Sequence, residues 1–376
     1  MIYLDNAATT YPKPESVYKR IEEASRSAFN SGRGSYKVAK EKSRIIDETR
    51  EGILSLNNIY NGEVVFTPSA TLALNQIIFG IDFQNGDYVY VSPFEHNAVM
   101  RPLEQVRKTI NIKIIEIPFD RTTFELKKSE LENLFTLKKP RAVFCSQVSN
   151  VIGLLIDYKT IFELSSKYNS FNVLDASQGY GIVKIDSNTK YSFIVFAGHK
   201  SLYAMFGIAG YIVKDGCKIQ QTFFGGTGSD SLNLEMDNKF PSGYEAGSYN
   251  IVAIESLHES IKWLKNTDVY SHEKETTKYL IDELKKNKNL DVYVPENTEK
   301  IFGIVAFNHK NYNAKDLGMI LSEDYNICIR TGYHCAPLVH KWLGTEEIGG
   351  ECRVSVGINT TYSEIERTIL VISETK

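Results

Sequence analysis

Between Glu63 and Val213 short apolar runs alternate with longer stretches in which apolar residues recur three and four apart among charges, the pattern of an α/β sheet domain. Seven runs read as strands: Val64 to Thr67, Tyr88 to Ser92, Ile112 to Ile117, Ala142 to Ser146, Phe171 to Leu174, Phe193 to Phe196 and Ile208 to Val213. The stretches near 70–80, 97–108, 127–135 and 157–168 read as helices. The run Phe193 to Phe196 has no polar alternation, which fits a strand covered on both faces in a parallel sheet. Upstream, Glu15 to Phe29 and Val38 to Leu56 carry the spacing of surface helices, joined by a loop from Asn30 to Ser35. Met1 to Pro14, with Pro12 and Pro14, reads as an ordered arm rather than a helix.

Downstream of the glycine cluster Gly225 to Gly228, a polar stretch leads through Glu245 to Ser248 into a helix from Ile251 to Lys265. The remainder reads as helix Lys274 to Lys286, strand Ile304 to Asn308, helix Lys315 to Asp324, strand Cys328 to Arg330, strand Glu351 to Val356 and a final helix. The expected organisation is therefore a large α/β domain over 15–267, with a mostly parallel seven-stranded sheet, and a smaller α+β domain built from 1–14 and 268–376. No internal repeat points to a solenoid.

The chemistry begins where Ser192 to Phe196 stops, at Ala197-Gly198-His199-Lys200. A lysine at the mouth of such a sheet is partly desolvated, which lowers its pKa and suits it as a Schiff-base nucleophile. Asp175 leaves the strand Phe171 to Leu174 at the same edge, and an anion there suits the ring nitrogen of pyridoxal phosphate. Thr67-Pro68-Ser69-Ala70-Thr71 puts a helix start directly after a strand, where free N–H groups attract a phosphate. His96 follows the next strand and offers a flat imidazole to a cofactor ring. Each has an ordinary reading as well: Lys200 snorkelling to water, Asp175 and Ser69 capping helices, His96 a satisfied structural histidine.

Composition narrows the rest. A chain of 376 residues with 42% hydrophobic content can bury a full core, and its net charge of −3, with both signs interleaved, offers no basic stripe to a nucleic acid. No apolar run approaches the roughly 18 residues of a membrane span, and the first twenty residues have no signal-peptide character, so a cytoplasmic location is expected. The five cysteines are scattered, without a Cys-x-x-Cys pair, so neither a zinc site nor a disulfide framework is expected.

Taken in order, Tyr3-Leu4-Asp5-Asn6-Ala7-Ala8-Thr9, Glu95-His96-Asn97, Val148 to Gly153, Asp175-Ala176-Ser177-Gln178, Gly198-His199-Lys200, Glu245-Ala246-Gly247-Ser248 and Arg330 to Pro337 resemble segments of one family. It is that of the fold-type-I pyridoxal-phosphate enzymes of the class V aminotransferase type, in particular the cysteine desulfurase and selenocysteine lyase branch. The short Arg330-Thr331-Gly332-Tyr333-His334-Cys335 segment is similar to the SufS-like group, whose catalytic cysteine sits on a compact loop. The resemblance implies that Lys200 binds pyridoxal 5'-phosphate covalently, Asp175 pairs with its ring nitrogen, His96 stacks on the ring and Gln178 reaches the ring hydroxyl. It further implies that Ala70, Thr71 and His199 hold the phosphate, that Asn150 touches cofactor or substrate, and that Ser248 reaches the phosphate of a second subunit in a homodimer. Arg353 matches the arginine that grips a substrate carboxylate, and Cys335 the thiol that takes sulfur from L-cysteine and passes it to an acceptor protein.

Two departures stand out. Ala197 replaces a serine common in the family, and Ala204-Met205 stands where a Gly-Pro pair usually follows the lysine. The expected activity is cysteine desulfuration to L-alanine and a Cys335 persulfide. Its alternatives are a selenocysteine or cysteine-sulfinate lyase, another class V aminotransferase, and a non-catalytic scaffold on a degenerate enzyme fold.

Overall fold

The structure is a computed structural model and describes residues 1–31, 36–227 and 232–374. Most of the expected loop at 30–35 and the last glycine of the 225–228 cluster lie outside the described residues.

The chain opens with a two-residue strand, β1 (Ile2–Tyr3). The seven expected strands then follow as β2 (Gly62–Thr67), β3 (Tyr88–Val91), β4 (Lys113–Glu116), β5 (Pro140–Ser146), β6 (Phe171–Asp175), β7 (Phe193–Ala197) and β8 (Ala209–Lys214). They form one sheet in the spatial order β2-β8-β7-β6-β5-β3-β4. Every pair from β7 to β4 is parallel, and β8 alone runs against its two neighbours. Strict alternation of the pleat sends successive side chains to opposite faces. Ile194 and Phe196 thus pack on one face with helices Lys37–Leu56 and Ile251–Lys265, while Phe193 and Val195 pack on the other with helices Ala70–Gly80 and Asn97–Ile110. All five residues of β7 are buried, the covered state its unbroken apolar run requires.

The remaining strands are β9 (Leu290–Val292), β10 (Ile304–His309), β11 (Ile327–Cys328), β12 (Arg330–Gly332) and β13 (Glu351–Ser355). A second, antiparallel sheet has the order β12-β13-β10-β9, and β11 pairs instead with β1. The single strand expected from Cys328 to Arg330 is therefore two: Cys328 sits opposite Tyr3, whereas Arg330 sits opposite Arg353. Ile329 lies between them, and so short a run has no periodicity that could reveal a change of sheet. The helix expected from Lys274 begins at Val269, because Asp268 caps it by accepting from the Ser271 N–H. The strand β9 and the helix Pro337–Leu343 were not expected.

The N-terminal arm joins the two sheets. Asp5 bridges to Ser355 at the end of β13, Asn6 Nδ2 and the Ala7 N–H donate to that serine, and the hydroxyls of Thr9 and Thr10 donate to the carbonyl of His199 beside β7. Gly153 makes the other junction. Its φ of +66° and the position a Cβ would occupy, 2.2 Å from the Ile304 carbonyl of β10, admit no side chain.

Candidate active site

Five strand ends converge on one edge of the main sheet, the place where parallel α/β sheets bind ligands. They form a cleft lined by Ala70 and Thr71 after β2, His96 after β3, Asn150 after β5, Asp175 and Gln178 at the end of β6, and Ala197, His199 and Lys200 at the end of β7.

Each side chain is held by local structure. Gly198 lets the chain pass the Ile208 carbonyl at a distance no Cβ could tolerate, so that Lys200 turns into the cleft. Burial pushes the Lys200 amine below the ordinary lysine range, with Asp175 opposing the shift and Arg353 and Arg330 adding to it. Asp175 is buried, and its Oδ1 accepts from the Ser177 N–H at 3.0 Å and from the Ser177 hydroxyl at 2.5 Å. His96 caps helix Asn97–Ile110 through Nδ1, which accepts from the Ala98 N–H at 3.0 Å. Its ring is therefore neutral with the proton on Nε2, in keeping with a pKa lowered to about 4 by burial and by Lys200.

His199 has its pKa lowered to about 3, by burial first and then by Lys200 and Lys13. Its ring stacks on Phe206, centroids 4.3 Å apart, and its buried Nδ1 has no hydrogen-bond partner. Ser69 caps helix Ala70–Gly80, leaving the first N–H groups of that helix at the cleft wall beside Ala70 and Thr71. Gln178 Nε2 donates to the carbonyl of Ala7, which fixes it against the arm.

Arg353, on β13, is 2% exposed and is not on the cleft wall. Its Nη1 donates to the Asn150 carbonyl at 2.8 Å and its Nη2 to Asp5 at 2.7 Å, while Nε has no partner. Asp5, which orients this guanidinium, was not foreseen as a site residue, since only the folded arm brings it there. Cys335 lies on an exposed turn, and both it and His334 are left-handed, with φ of 57° and 46°. That turn is tied to both walls of the cleft: the Asn97 N–H donates to the Cys335 carbonyl at 2.6 Å and Asn150 Nδ2 to the His334 carbonyl at 2.8 Å. Ser248 is elsewhere, exposed on a second cavity with Pro68, Gly207 and Tyr249.

Two buried groups near the cleft also escaped the sequence. Glu95 is fully buried, accepts from the Ser92 hydroxyl and the Ser146 N–H, and has its pKa raised to about 7 by burial, with Asp175 adding to the shift. Lys13 donates to the Thr10 hydroxyl at 2.7 Å and the His199 carbonyl at 2.8 Å, and burial lowers its pKa to about 7. The loop that lacks Gly-Pro is anchored by Tyr203, at a φ of 54°, whose hydroxyl donates to buried Glu273 and accepts from the Ile358 N–H.

Comparison with known proteins adds context to this geometry. The aminotransferase class-V family profile matches residues 2–368. A probable cysteine desulfurase of Methanothermobacter thermautotrophicus is 27% identical over 382 residues, covering 97% of this chain and 92% of the relative. A cysteine desulfurase of Wigglesworthia glossinidia brevipalpis is 29% identical, covering 98% and 91%. Among solved structures, the apo cysteine desulfurase from Thermococcus onnurineus NA1 superposes with a TM-score of 0.91 at 25% identity, covering 99% of this chain and 94% of that one.

Proposed function

Because the chain belongs to the aminotransferase class-V family, we propose that it is a cysteine desulfurase, which moves the sulfur of L-cysteine onto Cys335 and releases L-alanine. The observation that carries this reading is the convergence of Lys200, Asp175 and His96 on one cleft, with the Cys335 turn hydrogen-bonded to the helix that His96 caps.

Pyridoxal phosphate fits this donor set. An orphaned Nδ1 on His199 and the free N–H groups beside Ala70 and Thr71 suit a phosphate, and a neutral His96 ring suits a flat heterocycle. Lys200 would hold the cofactor covalently, Asp175 would keep its ring nitrogen protonated, and Gln178 and Asn150 would contact its ring substituents. When bound, the cofactor supplies an electron sink for the charge left on a substrate carbon after its proton is removed.

The chain's own residues do the rest. Lys200, its amine pushed down by burial, takes the Cα proton of the substrate. Arg353, held by Asp5, binds the substrate carboxylate, and its Nε is the nitrogen left without a protein acceptor. The Cys335 thiolate attacks the substrate sulfur, so that an S–S bond forms as the Cβ–S bond breaks, leaving a persulfide for an acceptor protein. The exposure of Cys335 supports such a hand-over.

The reading includes a homodimer. Ser248 is exposed and lines a cavity other than its own cleft, and Phe206, Phe223, Phe224, Leu232 and Leu234 present large apolar side chains to solvent. It also includes the division into a large domain over 15–267 and a small one from 1–14 and 268–376, supported by the separate sheets on either side of that boundary. No described helix is long and apolar enough to cross a membrane.

The test is to offer the cofactor-loaded protein L-cysteine, L-selenocysteine and cysteine sulfinate, before and after Cys335→Ala. Alanine from L-cysteine that disappears in the variant, while the visible absorbance of the bound cofactor persists, is the expected result. Undiminished alanine from L-cysteine in Cys335→Ala would overturn the role of the thiol.

A further inference from the structure

Against the Cys335 turn packs a buried pair that the reaction does not use. His340, on helix Pro337–Leu343, and Glu351, the first residue of β13, are 1% and 0% exposed. His340 Nδ1 is 3.0 Å from Glu351 Oε2 and 2.9 Å from the Thr345 hydroxyl, and His340 Nε2 is 2.7 Å from the carbonyl oxygen of Tyr333. A backbone carbonyl can only accept, so Nε2 carries a proton. Nδ1 faces both the Thr345 hydroxyl and the Glu351 carboxyl, and an acidic oxygen at 3.0 Å favours a second proton there. Among the described residues, Glu351 is buried with no other hydrogen-bond donor on either oxygen, so His340 is its nearest partner.

The turn needs such a support. His334 and Cys335 are consecutive residues with side chains in the left-handed region, a conformation that persists only when the surroundings impose it. The surroundings here are specific. His340 holds the Tyr333 carbonyl, the His334 ring meets the Glu351 carbonyl at 3.2 Å, and the Tyr333 ring stands edge-on to His340 with centroids 5.0 Å apart.

We propose that the His340–Glu351 ion pair is a positioning device for Cys335: a doubly protonated imidazole that pins the Tyr333 carbonyl and so fixes the turn presenting the thiol. The proposal rests on Cys335 being the sulfur acceptor. His340 touches no substrate and is a positioning residue. The titratable groups facing it are Glu351 from β13, Glu346 from the following loop, and Tyr333 and His334 from the turn. His334 is driven neutral by burial, Arg353 and His340, so the single positive charge belongs to His340, whose pKa is raised by Glu351 and the Tyr333 carbonyl against the opposing effect of burial. A raised pKa keeps the pin in place below the ordinary imidazole range and removes it as pH rises through the imidazolium's titration.

The experiment uses the cofactor-loaded protein and its His340→Gln variant, which keeps an amide donor but no charge. Turnover of L-cysteine should fall on the order of tenfold to a hundredfold, the worth of one charge-assisted hydrogen bond, with little change in KM or in the cofactor's visible absorbance. Wild-type turnover should decline reversibly at alkaline pH, with a limb that the variant lacks. Imidazole nitrogen NMR on the wild type should find both nitrogens of His340 protonated at neutral pH. Equal turnover in the two proteins, a neutral His340, or loss of cofactor absorbance along with turnover would each overturn the assignment, the last by assigning His340 to the fold as a whole. Sulfur transfer that survives Cys335→Ala would instead sink the proposed function, a failure separate from these, since the protonation of His340 is read without turnover.

Discussion

Ala197 ends β7 with a methyl group on the cleft wall, where the resembled family commonly has a hydroxyl. A hydrogen bond to a charged group is worth roughly 1.5 to 3 kcal/mol, so Ala197→Ser should tighten pyridoxal phosphate about ten- to a hundredfold. Titration of apo-protein reads this directly, and unphosphorylated pyridoxal should gain nothing. Identical affinities for the phosphorylated cofactor would mean that His199 and the helix start already satisfy the phosphate. Lys200 gives a second test at this scale. Borohydride reduction of the loaded protein should tag Lys200, and Lys200→Ala should remove the tag; label on Lys13, the other buried amine beside the cleft, would refute the assignment.

At the scale of elements, the helix Val269–Lys286 carries Glu273 against the loop that follows Lys200. Burial raises the Glu273 carboxyl to about 8, although the Tyr203 hydroxyl favours its ionised form. The folded state therefore keeps a proton that the unfolded chain gives up near pH 4.3. That contribution is whole below pH 4.3 and is lost as pH rises to about 8, so the wild type should lose stability across the interval. Glu273→Gln, a neutral amide of the same shape, should flatten this dependence and be the more stable protein at pH 8 by on the order of a few kcal/mol, as read from denaturant midpoints. Parallel pH curves for the two proteins would show that Glu273 is ionised in the fold.

The same scale explains what was legible in the chain. The strands of the main sheet could be read from their short apolar runs, most plainly in β7, where burial on both faces leaves no polar alternation. The residues at their ends were found because each directly follows such a run. What escaped depends on partners distant in sequence: β1 and β11 are two residues each and exist only as a pair, and Asp5 acquires its place from Arg353, 348 positions away. His340 and Glu351 look like an ordinary helix and strand residue until the fold brings them to 3.0 Å.

For the whole molecule, Phe206, Phe223, Phe224, Leu232 and Leu234 leave large apolar side chains in contact with solvent. Leu232 and Leu234 are essentially fully exposed, at 98% and 101%. A second copy covering them predicts a dimer by sedimentation at micromolar concentration. Leu232→Glu with Leu234→Glu should then yield monomers that release cofactor faster, because Ser248 no longer reaches a neighbour; a wild-type monomer would contradict the arrangement.

The arm that joins the sheets bears on how the protein is made. Residues 2–7 precede the whole large sheet in sequence, yet their partners are Ile327, Cys328, Arg353 and Ser355. Contacts so far apart in sequence close late, after a large loop entropy has been overcome. Until Arg353 and Ser355 are translated, a nascent chain can complete its large sheet but has nothing on which to seat Asp5. The wall of the cleft can thus form before the arm is seated: fragments ending ahead of Gly332 would hold Lys200 and Asp175 together yet lack both the Cys335 thiol and the Arg353 guanidinium.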